Sequence, residues 1–293
     1  MPYLVSSSIR SGARFAAIAG AIAWQCASAA AGETRVNARY DVTLAGMEIG
    51  KAALVVDINA TNYTAAASGK ITGVAQFVTE GKGSAGARGL LTKEKPQPGS
   101  FAMTASGDDK QIAIQFGFER GAVKGLQVSP TPQPRPDRIE VTEIHRRNVL
   151  DPMSAALFVV PGTGEVTGPD ACKRVVPIFD GVSRYDLSFE FLRQETVAAK
   201  GFAGTAVVCA VGFRAVAGHR LGRKDIEYME NNKDMAVWLV PAAGSRVLVP
   251  FKVSVSTKVG TCVIEAKSFA TQYAETRPAA VPAQGPTQGN AAR

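Results

Sequence analysis

Apolar and polar residues alternate with a period of two along most of this chain, which confines it to strands with one buried face. Val36, Ala38, Tyr40, Val42 and Leu44 fall on one side of a run whose other side carries Asn37, Arg39, Asp41 and Thr43. After a turn at 45–48 the apolar side resumes with Ala52, Leu54, Val56 and Ile58. Gly46 supplies the positive φ that a tight hairpin needs, so the two runs predict an antiparallel hairpin. The pattern recurs at 112–118, 185–191 and 247–255, and weaker strands are expected over 62–68, 99–105, 122–128, 204–216, 234–240 and 261–269. Many one-sided strands joined by short turns predict a mainly β fold, a single curved antiparallel sheet in the form of a half-barrel or β-spiral. Composition agrees: hydrophobic residues make up 46%, enough for a large core, while 29 glycines and 16 prolines suit turns better than long helices.

Two stretches break the rhythm. Residues 71–89 carry five glycines and read as a short helix or turn leading into a mobile loop. Within it GKGSAG lacks the spacing and the strand–loop–helix setting of a phosphate loop. Farther on, Asp151 and Pro152 have the form of an N-cap and first helical position, followed by MSAALFVV and a stop at Pro161 and Gly162. This predicts a helix of about two and a half turns, apolar on all sides and therefore buried inside the curved sheet. Four prolines in 129–138 rule out a strand interior there and predict a surface loop within one continuous domain, 32–274. The Pro/Ala/Gln-rich tail, 275–293, has no periodicity and is expected to be disordered.

Residues 1–31 show the order of a secretory signal: Arg10 and Arg14 without an acid, an uncharged apolar run at 15–24, then small residues. Ten apolar residues are too few to span a bilayer, which takes about 20. Cleavage is expected near Ala29 or Ala31, placing the mature chain in the periplasm. The mature chain keeps 31 basic and 25 acidic residues, a net of +6. Export argues against nucleic acid as a partner for that charge and points instead to anionic lipid or cell-wall polymer, with ordinary surface charge that aids solubility as the competing expectation.

Little in the chain signals chemistry. The two histidines, His145 and His219, are too few for a multi-histidine metal site, and no metal or cofactor is expected. Cys172, Cys209 and Cys262 remain after cleavage, so at most one pair forms and one thiol is left over. Asp180, Asp186 and Glu190 cluster in IFDGVSRYDLSFE, and a paired-carboxylate hydrolase is conceivable there. A turn aspartate and a solvated strand face account for the same residues, and the protein is read as no enzyme. Arg146, Arg147, Arg220, Arg223 and Lys224 lie in expected loops and are the candidates for a basic rim.

Taken together, RYDVTLAGMEIG, LDPMSAALFVV, CKRVVPIFDGVSRYDLSF and CAVGFRAVAGHR resemble a family of exported bacterial proteins catalogued as domain of unknown function 3108. The resemblance covers roughly 36–270. It implies a periplasmic envelope protein with a curved antiparallel sheet around a helix, similar in outline to lipoprotein carriers of the outer-membrane sorting pathway. It also implies a disulfide between Cys172 and Cys209, with Cys172 entering a strand beside that of Cys209. On this picture the concave face, lined by Phe116, Phe118, Phe189, Phe191 and Phe251, binds an apolar or lipidic ligand, with no catalysis. A dry core closed by the 152–160 helix is the competing expectation for those phenylalanines. The alternative function is an interaction protein of the envelope, contacting peptidoglycan, anionic lipid or another protein through the basic loops.

Overall fold

Backbone pairing follows the alternation closely. The computed structural model describes residues 32–275 except 78 and 109. The expected signal, 1–31, and the tail from 276 onward lie outside the described residues. The first half of the chain supplies β1 (Gly32–Leu44), β2 (Met47–Ile58), β3 (Asn62–Ile71), β4 (Lys82–Leu91), β5 (Pro96–Gly107), β6 (Lys110–Glu119) and β7 (Ala122–Ser129). Next come α1 (Pro152–Ala155) and β8 (Phe158–Val159). The second half supplies β9 (Arg174–Phe179), β10 (Arg184–Ala199), β11 (Phe202–Ala217), α2 (Lys224–Asn231), β12 (Met235–Pro241), β13 (Val247–Thr257) and β14 (Gly260–Glu275).

Each half is a meander, and the two join where β1 pairs with β14 from Gly32 opposite Glu275 to Leu44 opposite Cys262. The result is one 14-stranded antiparallel sheet in the order β7-β6-β5-β4-β3-β2-β1-β14-β13-β12-β11-β10-β9, with β8 against β13. The sheet does not close, because β7 and β9 do not pair. Residues 147–150 lie between them as a strap. Arg147 bridges to Ala122 on the β7 side, and the Asn148 N–H donates to the Gly121 carbonyl at 2.8 Å. On the β9 side the Leu150 N–H donates to Pro177 O at 2.8 Å, and the Phe179 N–H donates to Leu150 O at 2.9 Å. Side chains confirm the approach of the two ends. Phe116 on β6 and Phe179 on β9 pack with ring centroids 5.6 Å apart. Gly181 has φ +101, and a Cβ there would lie 2.3 Å from Ile114 Cγ2.

The inner face holds the main core. Val36, Val56, Tyr63, Phe101, Phe116, Phe179, Phe251 and Phe269 are all buried there. A second cluster lies on the outer face of β11, β12 and β13, where Val207, Cys209, Val237, Leu239 and Leu248 are covered by Phe158, Val160, Ala171 and Cys172. Residues 160–172, continuing from β8, thus form a flap over the outside of the sheet, which leaves this part of β11 buried on both faces.

The structure corrects three local expectations. The helix begins where predicted, because Asp151 Oδ1 accepts from the Met153 and Ser154 N–H groups at 3.0 and 2.9 Å. It ends after one turn, however, at Ala155. Phe158 and Val159 leave it to pair with Leu248 and Val247, the state that β-branched and aromatic side chains favour. The glycine-rich stretch is a 3-10 turn, Gly73–Phe77, followed by the paired strand β4 rather than a mobile loop. Its ladder sets Gly83 opposite Gly69 and Ala85 opposite Ala67, so backbone hydrogen bonding holds it with little side-chain patterning. Cys172 closes a 3-10 turn, Pro169–Ala171, in the flap instead of entering a strand.

Candidate functional site

The inner face is a trough with one end filled and the other open. At the filled end α1 packs against β3, β4, β5 and β9. There the Tyr63 hydroxyl lies 2.5 Å from Ser154 Oγ, and the Ser154 hydroxyl donates to Asp151 Oδ2 at 2.5 Å. Because Ser154 gives its proton to the carboxylate, Tyr63 must be the donor to Ser154. Asp151 and Ser154 are 0% exposed. Burial raises the Asp151 pKa above the ordinary carboxylate value, and its hydrogen bonds offset only part of that rise. Burial likewise raises the Tyr63 hydroxyl.

Along the same strands, away from α1, side chains shrink and the core stops. Ala67, Gly69 and Ile71 on β3, Gly83 and Ala85 on β4, Met103 and Ala105 on β5, and Ile112 on β6 line an open cavity of about 570 Å³. Alternation puts these positions on the face that carries Tyr63, Ala87, Phe101 and Ile114. Ile112 is 45% exposed, a large apolar side chain left without cover.

The phenylalanines expected to line one concave surface divide between two. Phe116 and Phe251 are buried in the inner core, and Phe118 packs against it. Phe189 is buried in the outer cluster, edge-on to Phe158 at 4.9 Å. Phe191 stands opposite Cys209 and is partly exposed. None of the five borders the open end of the trough. Apart from Ile71, Met103 and Ile112, the inner-face residues that do border it are glycine and alanine, which give a weak apolar signal, and several sit in the glycine-rich stretch at 71–89.

The expected basic rim is largely neutralised in place. Arg220 Nε lies 2.6 Å from Asp137, Arg223 pairs with Asp225 at 2.8 Å, and Arg146 lies 4.0 Å from Glu143 and over the Phe179 ring. Arg147 belongs to the strap. Lys224 opens α2 rather than lying in a loop.

The carboxylates are not brought together either. Asp186 is buried against Arg184, at 2.6 Å, and Arg214. Its burial favours the neutral acid, but the two guanidinium groups outweigh this and hold the carboxyl below its ordinary pKa. Glu190 is exposed, and four residues along a strand put it roughly 13 Å away. Asp180 accepts from the Val182 and Ser183 N–H groups in its turn. His145 Nδ1 accepts from the Thr142 N–H at 3.1 Å, and His219 contributes its backbone carbonyl to Ile139.

Cys172 and Cys209 form a disulfide with Cα atoms 5.6 Å apart, pinning the flap to β11. Cys262 is a free thiol whose pKa burial raises. Among the described residues no helix is long and apolar enough to cross a membrane.

One antiparallel sheet, coiled until its ends nearly meet but left unclosed, defines a mainly β protein with its apolar surface turned inward. The chain belongs to the family described as Protein of unknown function (DUF3108), whose profile matches residues 39–267. Among solved structures it is similar to a β-barrel-like protein of domain of unknown function DUF1849 from Brucella abortus. The two are 10% identical with a TM-score of 0.47, over 82% of this chain and 98% of that one. No curated protein matches the chain.

Proposed function

We propose that the protein is a non-catalytic cell-envelope protein of the periplasm that holds an apolar or lipidic ligand at the open end of the trough. The observation that carries this reading is the cavity of about 570 Å³ lined by Ala67, Ile71, Ala85, Met103, Ala105 and Ile112. Ligand sites are commonly apolar concavities of about 300–1,000 Å³. A dry core accounts for Phe116, Phe118 and Phe251 but not for this end, where the strands continue and the filling does not. The disulfide supports an oxidising compartment, where such bonds persist. The loop arginines, mostly engaged by carboxylates, give less support to a rim that captures envelope polymers.

Native mass spectrometry of protein purified from its host envelope tests the reading. The expected spectrum shows the mature chain, cut near Ala29 or Ala31, with a lipid-sized adduct. A fluorescent fatty-acid probe should then bind saturably to delipidated protein. A bare polypeptide mass together with no probe binding would overturn the proposal.

A further inference from the structure

The polar face of the same strands carries a second concavity, lined mainly by residues of opposite parity. On this face Lys51 of β2 stands directly opposite Lys70 of β3, and Lys70 directly opposite Lys82 of β4. Like charges facing each other across strand pairs repel and destabilise the sheet. The next row across the strands is Ala53, Ser68, Ser84 and Thr104, with Ser84 Oγ 3.1 Å from Thr104 Oγ1. Together these rows floor a groove of about 890 Å³ whose cations are Arg39, Lys51, Lys70, Lys82, Lys200 and Lys267. One carboxylate, Asp41, lines the groove, loosely shared between Lys51 at 3.9 Å and Lys267 at 4.0 Å. Among the described residues no carboxylate lies within 4.0 Å of Arg39, Lys70, Lys82 or Lys200.

We propose that this groove binds a phosphate ester of a polyol, the chemistry of a glycerol phosphate. Among the described residues carboxylates reach this ladder only at Lys51, from Asp41 at 3.9 Å and Glu48 at 3.6 Å, so an anion seated on Lys70 and Lys82 lowers its electrostatic cost. Adjacent strands lie about 4.8 Å apart, so ammonium groups of neighbouring lysines can converge on one phosphate. Lysine binds phosphate as a point charge with three donors. The serine and threonine row beside the ladder both donates and accepts, which suits ligand hydroxyls rather than an acyl chain. The polar face thereby differs in ligand class from the apolar trough, and the proposal does not depend on a ligand in that trough.

The test compares the mature wild-type chain with Lys70→Gln/Lys82→Gln, and with Lys173→Gln, outside the groove, as a control. One arm titrates sn-glycerol 3-phosphate at constant ionic strength by calorimetry. The other sediments the proteins with vesicles of phosphatidylglycerol in phosphatidylcholine, against phosphatidylcholine alone. Saturable binding in either arm, weakened at least tenfold in the double variant and unchanged in the control, is expected. The first arm assigns a soluble ester and the second a lipid headgroup. Without ligand at low salt, the double variant should melt at or above the wild-type temperature, since repulsion has been removed, and this separates lost binding from lost folding. No saturable binding in both arms, or equal binding by the double variant, overturns the proposal.

Discussion

The Asp151 carboxylate accepts three hydrogen bonds while wholly buried, and among the described residues no cation pairs with it. Its pKa in the folded chain is raised by burial, so its contribution to stability is complete below the unfolded value and is lost as pH rises through the folded value. Asp151→Asn keeps an acceptor for the two helix N–H groups and removes the ionisation. The melting temperature of Asp151→Asn relative to wild type should therefore climb as pH rises from acid toward neutral, as a pH series of thermal melts would register. Asp151→Ala loses the cap, worth about 0.5–2 kcal/mol. It also leaves one buried hydroxyl proton of the Tyr63–Ser154 pair without its acceptor, at roughly 1–3 kcal/mol more. That variant should be clearly destabilised at every pH. The cap was legible in the sequence because it is local: Asp151 and Pro152 declare it within two positions. The hydrogen-bond chain to Tyr63 was not, because Ser154 meets it 91 positions away on β3.

At the scale of elements, legibility followed patterning. β1, β2 and β6 announce themselves because each alternates against a single core face, while β10 and β13 alternate over most of their length although Phe189 and Leu248 turn to the outer cluster. β4 does not, since glycine and alanine leave its pairing to the backbone. The segment at 158–172 was hidden for a different reason: it buries Phe158 and Val160 against the outside of a sheet already packed on its inside, so its apolar run imitates a helix. The disulfide, suggested by family resemblance and not by spacing, fastens this flap. It closes a separation of 37 residues, worth about 4 kcal/mol in the chain-entropy account. Replacing Cys172 and Cys209 together by serine should lower the unfolding free energy by up to that amount in denaturant titrations. The first protease cuts should then fall within 160–172, while the inner core remains protected. Simultaneous loss of all protection would show that the flap and the sheet are one cooperative unit.

For the whole molecule, the deciding relation is between the filled end, the open end and the seam. Tyr63 and α1 occupy one end of β3, whereas Ala67 and Ile71 open the other, so stability and ligand capacity should respond to different substitutions. Tyr63→Phe removes one hydrogen bond, about 1 kcal/mol. It should lower the melting temperature by about 2–4 °C and leave fatty-acid probe binding intact. Ala85→Phe, which fills the cavity, should weaken that binding at least tenfold with little change in melting temperature. The seam adds a kinetic question. Ala122 and Arg147 face each other where the strap meets β7, at the end of β6 opposite Lys110 and Ile112. A disulfide between Ala122→Cys and Arg147→Cys, in a Cys262→Ser background, would hold the strap to the β7 side. If ligand enters by the open end, stopped-flow probe uptake is the same in the oxidised and reduced forms of this variant. That is the expected outcome, because the hydrogen bonds of Asn148, Leu150 and Phe179 have no need to break. Slower uptake in the oxidised form alone would mean that the two sheet ends must part, making the strap a gate rather than a fixed closure.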